Sequence, residues 1–459
     1  MTRDLPTAAR LHLTIAALAA VIVSGAYVAP VRAADPVFGT PTIDASFESG
    51  LTLEQPVMLE QPPQRVELLL TYADASGPLV IEMPPPSSAG RATLRYRSAE
   101  SDGHVLPNTP VAAKWRITPS QGADAVTGPI VEDVFDDQRF DWQTVSGDVV
   151  RVHWYEGDAS FGERALRIGE EAIAATADLL GVVEEEPVDF FIYADQAAFY
   201  DALGPGTREN VGGQAVAGIR TLFALIRPGE IDDPWVGTVV PHELVHLVFD
   251  TAVSNPYHFP PRWLNEGLAV YLSQGYDSSD RRMVDRAAAD GTIVPLVGLV
   301  GQFPTSAERF FLAYAESVSG VDYLIREHGQ EALVALIRSY AGGRTDDEAF
   351  SAAIGIDMAG FDAAWLADIG AATPVRYGPQ PAPPGPRPAD WESASSPAST
   401  ASPGSVAPVA SVAPGAPDEP ASDTGGGDDS LPTLILVAAA VFVGAVLFLR
   451  RRRAPDRSS

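Results

Sequence analysis

Short segments in which apolar and polar residues alternate dominate residues 37–134, for example 65–72, 79–83 and 92–97. Turns rich in proline and glycine separate these segments. A period of two places alternate side chains on one face of a strand, where they can be buried. Strands of this length and spacing are typical of two packed sheets, so residues 36–137 are predicted to form an all-β, sandwich-like domain.

The pattern changes after Phe140, where strand and helix periodicities alternate. Before residue 210, the predicted elements are strands at 148–155 and 188–193 and helices at 161–180 and 196–203. Residues 214–226 are predicted as a single strand bent at Gly218, and mainly helices follow from Thr238 on. Strands that come early and helices that come late predict an α+β domain over residues 138–371.

The N-terminal segment has the features of a secretion signal. Arg3 and Arg10 provide a positive start, an apolar stretch follows, and Val31-Arg32-Ala33 has the small-residue spacing of a cleavage site. Residues 1–33 are therefore predicted to be a signal peptide. An uncleaved N-terminal anchor is the alternative.

Residues 431–449 form a stretch of 19 residues without a charged side chain. As a helix this stretch would be about 28 Å long, close to the thickness of the hydrocarbon core of a bilayer. Four arginines follow directly, and such clusters stay on the cytoplasmic side. The sequence predicts a transmembrane helix at 431–449, a cytoplasmic tail at 450–459 and an extracellular body. Residues 372–430, rich in proline, alanine and serine, are predicted to be a disordered stalk.

The composition excludes several kinds of site and partner. The 459-residue chain contains no cysteine, which excludes disulfides, iron–sulfur clusters, thiolate-bound zinc and a cysteine nucleophile. Its formal net charge of −29 argues against a nucleic-acid partner, because phosphate groups are bound by basic surfaces. The composition does not indicate an oligomeric state.

The segment 241–250 carries the candidate chemistry. His242 and His246 are four residues apart, so both imidazoles project from one face of a helix. Two nitrogens with this spacing can bind one Zn²⁺. Glu243 follows His242, so its carboxylate can lie beside a metal-bound water without ligating the metal. Pro241 fits the first turn of a helix that is predicted to begin near Thr238.

A catalytic zinc site takes three protein ligands and leaves a fourth position to water. A third histidine six residues after His246 is excluded, because Ala252 stands there. Glu266 lies twenty residues after His246, in a second predicted helix that opens after Pro260-Pro261. Without a thiolate, the consistent set of ligands is His242, His246 and Glu266.

The segments His242-Glu-Leu-Val-His246 and Trp263-Leu-Asn-Glu-Gly-Leu-Ala269 resemble the motifs of gluzincin metallopeptidases, in particular the peptidase MA-like domain family. The resemblance covers residues 140–370, about half of the chain. It implies a zincin-like fold with an active-site helix below a small sheet, and an edge strand that aligns an extended peptide, with 221–226 or 214–217 as candidates. The zinc ligands and general base that it implies are His242, His246, Glu266 and Glu243.

Gluzincins often supply a tyrosine or histidine from a later helix to stabilise the oxyanion of the tetrahedral intermediate. Tyr314 is the candidate for this role, and packing in the helical core is the alternative. Some gluzincins carry an aspartate four residues after the third ligand to orient a histidine. Val270 stands there in this chain, so Asp250 or Asn265 is the candidate for that role.

The sequence as a whole predicts a membrane-anchored extracellular zinc metallopeptidase that hydrolyses a peptide or protein substrate, with Glu243 as general base. The alternative is a non-catalytic cell-surface binding or adhesion protein with a vestigial zincin domain. The presence of Glu243 and of all three ligands favours the enzyme. The predicted fold class is α+β, with a sandwich-like β domain, a zincin-like metallopeptidase domain of a small sheet plus helices, and a C-terminal transmembrane helix.

Overall fold

The computed structural model describes residues 35–373, apart from residues 74, 76, 100–102, 206–211 and 256–257. Four predicted segments lie outside the described residues. They are the signal peptide 1–33, the stalk 372–430 except for residues 372 and 373, the transmembrane helix 431–449 and the tail 450–459. Within the described part, sheets and helices occur together, which confirms the prediction of a mixed α and β chain.

The described residues before position 135 form two sheets whose strand pairs are antiparallel. In one sheet the strand order is β1-β3-β2, with β6 also paired to β3; in the other it is β5-β4-β7-β8, with β9 also paired to β7. The strands are β1 (Val37–Phe38), β2 (Thr42–Ser46), β3 (Gly50–Leu59), β4 (Arg65–Tyr72), β5 (Leu79–Met83), β6 (Gly90–Arg97), β7 (Pro110–Thr118), β8 (Val126–Thr127) and β9 (Val131–Val134).

The alternating sequence pattern explains how these sheets pack. Along β7, Val111, Ala113, Trp115 and Ile117 are buried while the residues between them remain partly exposed. Both sheets contribute to one buried apolar cluster, with Leu53 from one sheet and Trp115 from the other. Two sheets that share a core in this way have the layered arrangement of a sandwich.

The second part of the chain is built on a five-stranded sheet with the order β10-β11-β12-β14-β13. Its strands are β10 (Gln143–Ser146), β11 (Val150–Trp154), β12 (Val188–Tyr193), β13 (Gly213–Val216) and β14 (Thr221–Leu225). Strands β11, β12 and β14 are parallel, whereas β10 and β13 run antiparallel at the two edges.

The prediction of one bent strand over residues 214–226 is wrong. Strands β13 and β14 form an antiparallel hairpin, joined by a 3-10 turn at Ala217–Ile219 and by Arg220, which has a left-handed φ of 48°. The reversal therefore occurs over several residues and is not confined to a bend at Gly218. It also places β14 inside the sheet, so of the two candidate edge strands only the one in β13 lies at an edge.

The helices follow and surround this sheet. They are α1 (Ala159–Leu180), α2 (Gln196–Leu203), α3 (Val236–Val253), α4 (Arg262–Ser273), α5 (Ser278–Asp290), α6 (Ala307–His328), α7 (Gln330–Ser339), α8 (Asp346–Ile354) and α9 (Met358–Asp368). Helix α1 begins where the Asp158 carboxylate accepts a hydrogen bond from the Phe161 N–H, and it ends at Gly181, whose φ of 63° suits glycine. Helices α1 and α3 share a core with one face of the sheet, and α2 packs against the other face.

Helix α3 begins at Val236, two residues earlier than predicted, so Pro241 lies in its second turn rather than its first. Because proline has no N–H, the Gly237 carbonyl lacks its usual helical partner. Gly237 is exposed, so water can satisfy that carbonyl and the helix continues unbroken.

Helix α4 is fixed by backbone contacts at its start and by close packing in its middle. The N–H groups of Arg262 and Trp263 donate to the carbonyls of Val300 and Leu299, which replace a side-chain cap. One turn later Gly267 packs so closely on α6 that an added Cβ would clash with the Ser317 carbonyl oxygen.

Polar contacts join the N-terminal part of the chain, which contains the two antiparallel sheets, to the five-stranded sheet. The Asn108 amide donates to the Asp189 carboxylate (3.1 Å) and to the Thr221 hydroxyl (2.9 Å), and the Tyr193 hydroxyl donates to the buried Asp137 carboxylate (2.8 Å). These bonds connect loops of the first region to strands β12 and β14 of the second.

In the described ranges, no helix by itself has the length and apolar composition needed to cross a membrane. The consecutive helices α8 and α9, bent by 65°, meet those criteria only as a pair.

Candidate metal centre

Helices α3 and α4 bring three candidate ligand atoms to one point. Glu266 Oε2 lies 3.6 Å from His242 Nε2 and 3.6 Å from His246 Nε2. All three atoms lie within 4.8 Å of one another. Ligands about 2.0–2.2 Å from a tetrahedral zinc ion are separated by roughly 3.4 Å, so the observed spacing fits one ion.

The hydrogen bonding of these atoms supports the same fit. His242 Nε2, His246 Nε2 and Glu266 Oε2 are buried, and none of them has a hydrogen-bond partner in the described part of the chain. Buried polar atoms left without a partner are costly and uncommon. Three such atoms that converge, two imidazole nitrogens and one carboxylate oxygen, form the donor set of a His₂Glu zinc site.

Asn265 sets the protonation of His246. The Asn265 Oδ1 atom lies 2.9 Å from His246 Nδ1, and an amide oxygen can only accept, so Nδ1 carries the proton and Nε2 presents its lone pair. Burial lowers the pKa of His246 to about 4, which keeps the ring neutral near pH 7. Of the two residues expected to orient a histidine, the structure places Asn265 in this contact.

Glu266 is held as an anion. Its second oxygen, Oε1, accepts from Arg262 Nε (3.1 Å) and Nη2 (3.0 Å), one helical turn earlier on α4. Burial alone would raise the pKa of Glu266, but His242, His246 and Arg262 outweigh burial and lower it to about 2. The carboxylate is therefore charged at neutral pH, as a metal ligand must be.

Glu243 lies beside this cluster and is bound to the edge of the sheet. Its Oε2 accepts a hydrogen bond from the Ala215 N–H of β13 (3.0 Å), while Oε1 is buried and has no partner among the described residues. Burial raises the pKa of Glu243 to about 7, against the lowering effect of His242 and of the Ala215 amide. A carboxylate with this pKa can accept and return a proton near neutral pH.

Tyr314, on α6, faces the same cluster. Its ring centroid lies 6.4 Å from that of His242, and its hydroxyl is buried without a hydrogen bond to the described residues. Burial, together with the negative charge of Glu266, raises the pKa of Tyr314 well above its usual value. The hydroxyl therefore keeps its proton and can act as a donor.

The structure brings together all five residues predicted from the sequence: His242, Glu243, His246, Glu266 and Tyr314. Their roles as ligands, base and donor stay proposals. Two groups were missed. The Ala215 amide is a backbone group without any side-chain signal. Phe303 contacts both the Arg262 guanidinium and the Tyr314 ring, and no motif marks it. The pairing of Arg262 with Glu266, four residues later in the same helix, agrees with the interpretation of Arg262 as part of a salt bridge at the start of the helix.

The loop between α3 and α4 carries a further histidine, His258, which lies outside the candidate metal cluster. His258 Nε2 is 3.0 Å from Asp346 Oδ1, and its ring stacks on Tyr340 with centroids 5.7 Å apart. His258 thus connects the loop between α3 and α4 to the residue that follows α7 and to the start of α8, and it is not part of the candidate metal cluster.

Residues 168–371 match the family described as the Peptidase MA superfamily. None of the curated proteins compared matches the chain significantly.

Two solved structures align with most of the chain. An M1 zinc metallopeptidase from Deinococcus radiodurans is 15% identical, with 73% of this chain and 93% of that chain covered and a TM-score of 0.35. An aminopeptidase N family protein from Idiomarina loihiensis is 11% identical, with 71% of this chain and 75% of that chain covered and a TM-score of 0.36.

Proposed function

We propose that the chain is a zinc-dependent peptidase of the Peptidase MA superfamily, whose description residues 168–371 match, with His242, His246 and Glu266 as metal ligands. The observation that carries the proposal is the convergence of three buried ligand atoms that have no other partner among the described residues. The match to a peptidase family and the chemistry of the donor set support the same activity.

Zinc bound at this point would supply Lewis-acid activation of a water molecule and of the scissile carbonyl. Glu243, anchored through Oε2 to the Ala215 amide, takes the proton of the attacking water on its free Oε1 and returns it to the leaving amine. The Tyr314 hydroxyl donates to the oxygen on which negative charge develops. The Asn265 contact keeps His246 in the tautomer that can bind the metal.

An extended peptide is the substrate that this arrangement favours. Strand β13 lies at the edge of the sheet, and the Ala215 N–H points toward Glu243 rather than toward β14. Backbone groups at such an edge can pair with an added strand, which would align a peptide bond with Glu243 and the metal.

The test is metal analysis together with a peptide-cleavage assay on the full chain, comparing wild type with Glu243→Gln. The wild type is expected to hold one zinc per chain and to cleave unstructured peptides. Glu243→Gln is expected to keep zinc and to lose about 10²–10⁴-fold in kcat, because the amide cannot accept the proton. Equal cleavage by both would show that Glu243 is not the base, and a wild type without zinc or cleavage would favour a non-catalytic binding protein.

We also propose that the peptidase is a single-pass, extracellular protein held by a transmembrane helix at 431–449. The uncharged 19-residue segment and the four arginines that follow support this. Membrane fractionation tests it. The full chain should stay in the membrane pellet after alkaline extraction, and a chain truncated after residue 430 should be released. Release of the full chain by alkaline extraction would contradict the anchor.

A further inference from the structure

We propose that Arg262 is a positioning residue for the metal, because its guanidinium occupies one oxygen of Glu266 and leaves only the other for zinc. This inference rests on the proposed zinc site. Arg262 Nε and Nη2 both approach Glu266 Oε1, at 3.1 and 3.0 Å. Oε2 is the oxygen that lies 3.6 Å from each histidine Nε2.

Because Arg262 binds one oxygen of Glu266, only the other oxygen is available to a metal, and this limits how many coordination positions Glu266 can take. A carboxylate that gives both oxygens to a metal takes two coordination positions, whereas one that gives a single oxygen takes one. Catalytic zinc has three protein ligands and a fourth position for water. With Oε1 saturated by two N–H donors, Glu266 offers one lone-pair oxygen, and the position that a second oxygen would fill stays open.

Arg262 is itself held by its surroundings. Its guanidinium carbon lies 4.6 Å from the centroid of the Phe303 ring, and its side chain is only 14% exposed. The Arg262 N–H donates to the Val300 carbonyl, which fixes the start of α4. Phe303 also packs edge-on against Tyr314, with centroids 5.4 Å apart. One aromatic ring therefore supports both the arginine that holds Glu266 and the tyrosine proposed as donor.

A purely structural ion pair and a positioning pair predict different results. An ion pair that only stabilises α4 would change the free energy of unfolding when it is removed, and the metal would bind as before. A pair that orients Glu266 would change how the metal is bound, even in a folded variant. Metal affinity and the spectrum of the bound metal separate the two roles.

The experiment compares wild type, Arg262→Gln, Arg262→Lys and Arg281→Gln. Arg281 is the matched control, since it also packs on an aromatic ring, Tyr276 at 4.0 Å, and pairs with an acid, Asp322 at 3.6 Å. Zinc affinity is measured by competition with a chelator, and cobalt(II) is substituted to record its visible absorption, whose intensity reports coordination number.

Arg262→Gln is expected to bind zinc about 10–100-fold more weakly and to weaken the cobalt absorption, as a second carboxylate oxygen joins the metal. Arg262→Lys keeps the charge and one donor, so it should fall between Arg262→Gln and wild type, and Arg281→Gln should match wild type. Unchanged affinity and spectrum in Arg262→Gln, or in Arg262→Lys where the glutamine variant does not fold, would overturn the inference. A wild type that binds no zinc would instead overturn the proposed function.

Discussion

The rings of Tyr314 and His242 lie 6.4 Å apart, and the Tyr314 hydroxyl is buried without a hydrogen bond to any described residue. An unpaired buried hydroxyl costs about 1–3 kcal/mol of stability. Such a cost at a cluster of candidate ligands is understandable if the hydroxyl acts on the substrate, and it is unexplained if the tyrosine only fills the core.

Replacement of Tyr314 by Phe separates these two roles. The variant is expected to lower kcat about 10²-fold with little change in KM, because a donor to the developing oxyanion is lost. Its melting temperature should equal or exceed that of wild type, since the unpaired hydroxyl is removed. Tyr323→Phe, on the same helix but against Phe361, is the control and should leave kcat unchanged. An unchanged kcat in Tyr314→Phe would assign the residue to packing alone.

Asn265 is expected to act on metal binding through His246. Asn265→Ala removes the acceptor of the Nδ1 proton, and zinc affinity should fall about 10–100-fold. Asn265→Asp restores an acceptor and should recover wild-type affinity or exceed it. Chelator competition measures both constants, and an alanine variant with wild-type affinity would show that this contact does not matter for the metal.

The close contact of α4 with α6 makes Gly267 sensitive to substitution. In Gly267→Ala the added methyl group would meet the Ser317 carbonyl oxygen, and the two helices would have to separate. The free energy of unfolding is expected to fall by about 1–3 kcal/mol. The matched control is Gly237→Ala, a helical glycine of α3 with open space around the added methyl. It should be neutral or stabilising by up to about 1 kcal/mol.

Thermal or denaturant unfolding measures both glycine variants. The prediction for Gly267 fails if its alanine variant is as stable as Gly237→Ala, because the contact would then be loose enough to accept a methyl group.

A buried carboxyl group outside the cluster predicts a pH dependence of stability. Burial raises the pKa of Glu316 to about 8, although the Val294 N–H, which donates to it at 2.8 Å, and Arg309 act in the opposite direction. A carboxyl whose pKa is higher in the folded state binds more protons there than in the unfolded chain between about pH 4.5 and 8. Its contribution to stability therefore falls as pH rises through that range.

Glu316→Gln should remove this dependence, because the amide keeps an oxygen for the Val294 N–H and does not ionise. At pH 8 the variant is expected to be more stable than wild type, by at most about 4 kcal/mol, and near pH 4.5 the two should be alike. Denaturant unfolding across the pH range measures this, with the exposed Glu331→Gln as control. Parallel curves for wild type and Glu316→Gln would contradict the prediction.

Periodicity predicted those parts of the fold in which one face of an element is buried. The helix 196–203 has the predicted bounds, because Phe199, Ala202 and Leu203 recur with helical spacing on its buried face. The strand 188–193 also has the predicted bounds although both of its faces are buried, because a short apolar run between Pro187 and Asp195 is typical of a buried strand. The hairpin over 213–225 was not predicted, since both of its strands are largely buried and read as one apolar run. Its turn depends on Arg220 in a left-handed conformation, which arginine seldom adopts.

The candidate site also contains groups that the sequence predicts and groups that it does not. The histidines and Glu266 are marked by residue type and spacing, which helical geometry converts into proximity. The Ala215 amide could not be predicted, since any residue except proline offers the same N–H and only the sheet topology places it beside Glu243. Phe303 reaches Arg262 and Tyr314 from a segment between α5 and α6 that has no regular periodicity.

X-ray diffraction from crystals of the zinc-loaded protein, recorded on either side of the zinc absorption edge, tests the site most directly. The anomalous map should show one peak at about 2.0–2.2 Å from His242 Nε2, His246 Nε2 and Glu266 Oε2. A map without a peak between α3 and α4, or a Glu266 carboxylate turned away from the peak, would contradict the assignment of these three residues as the ligands.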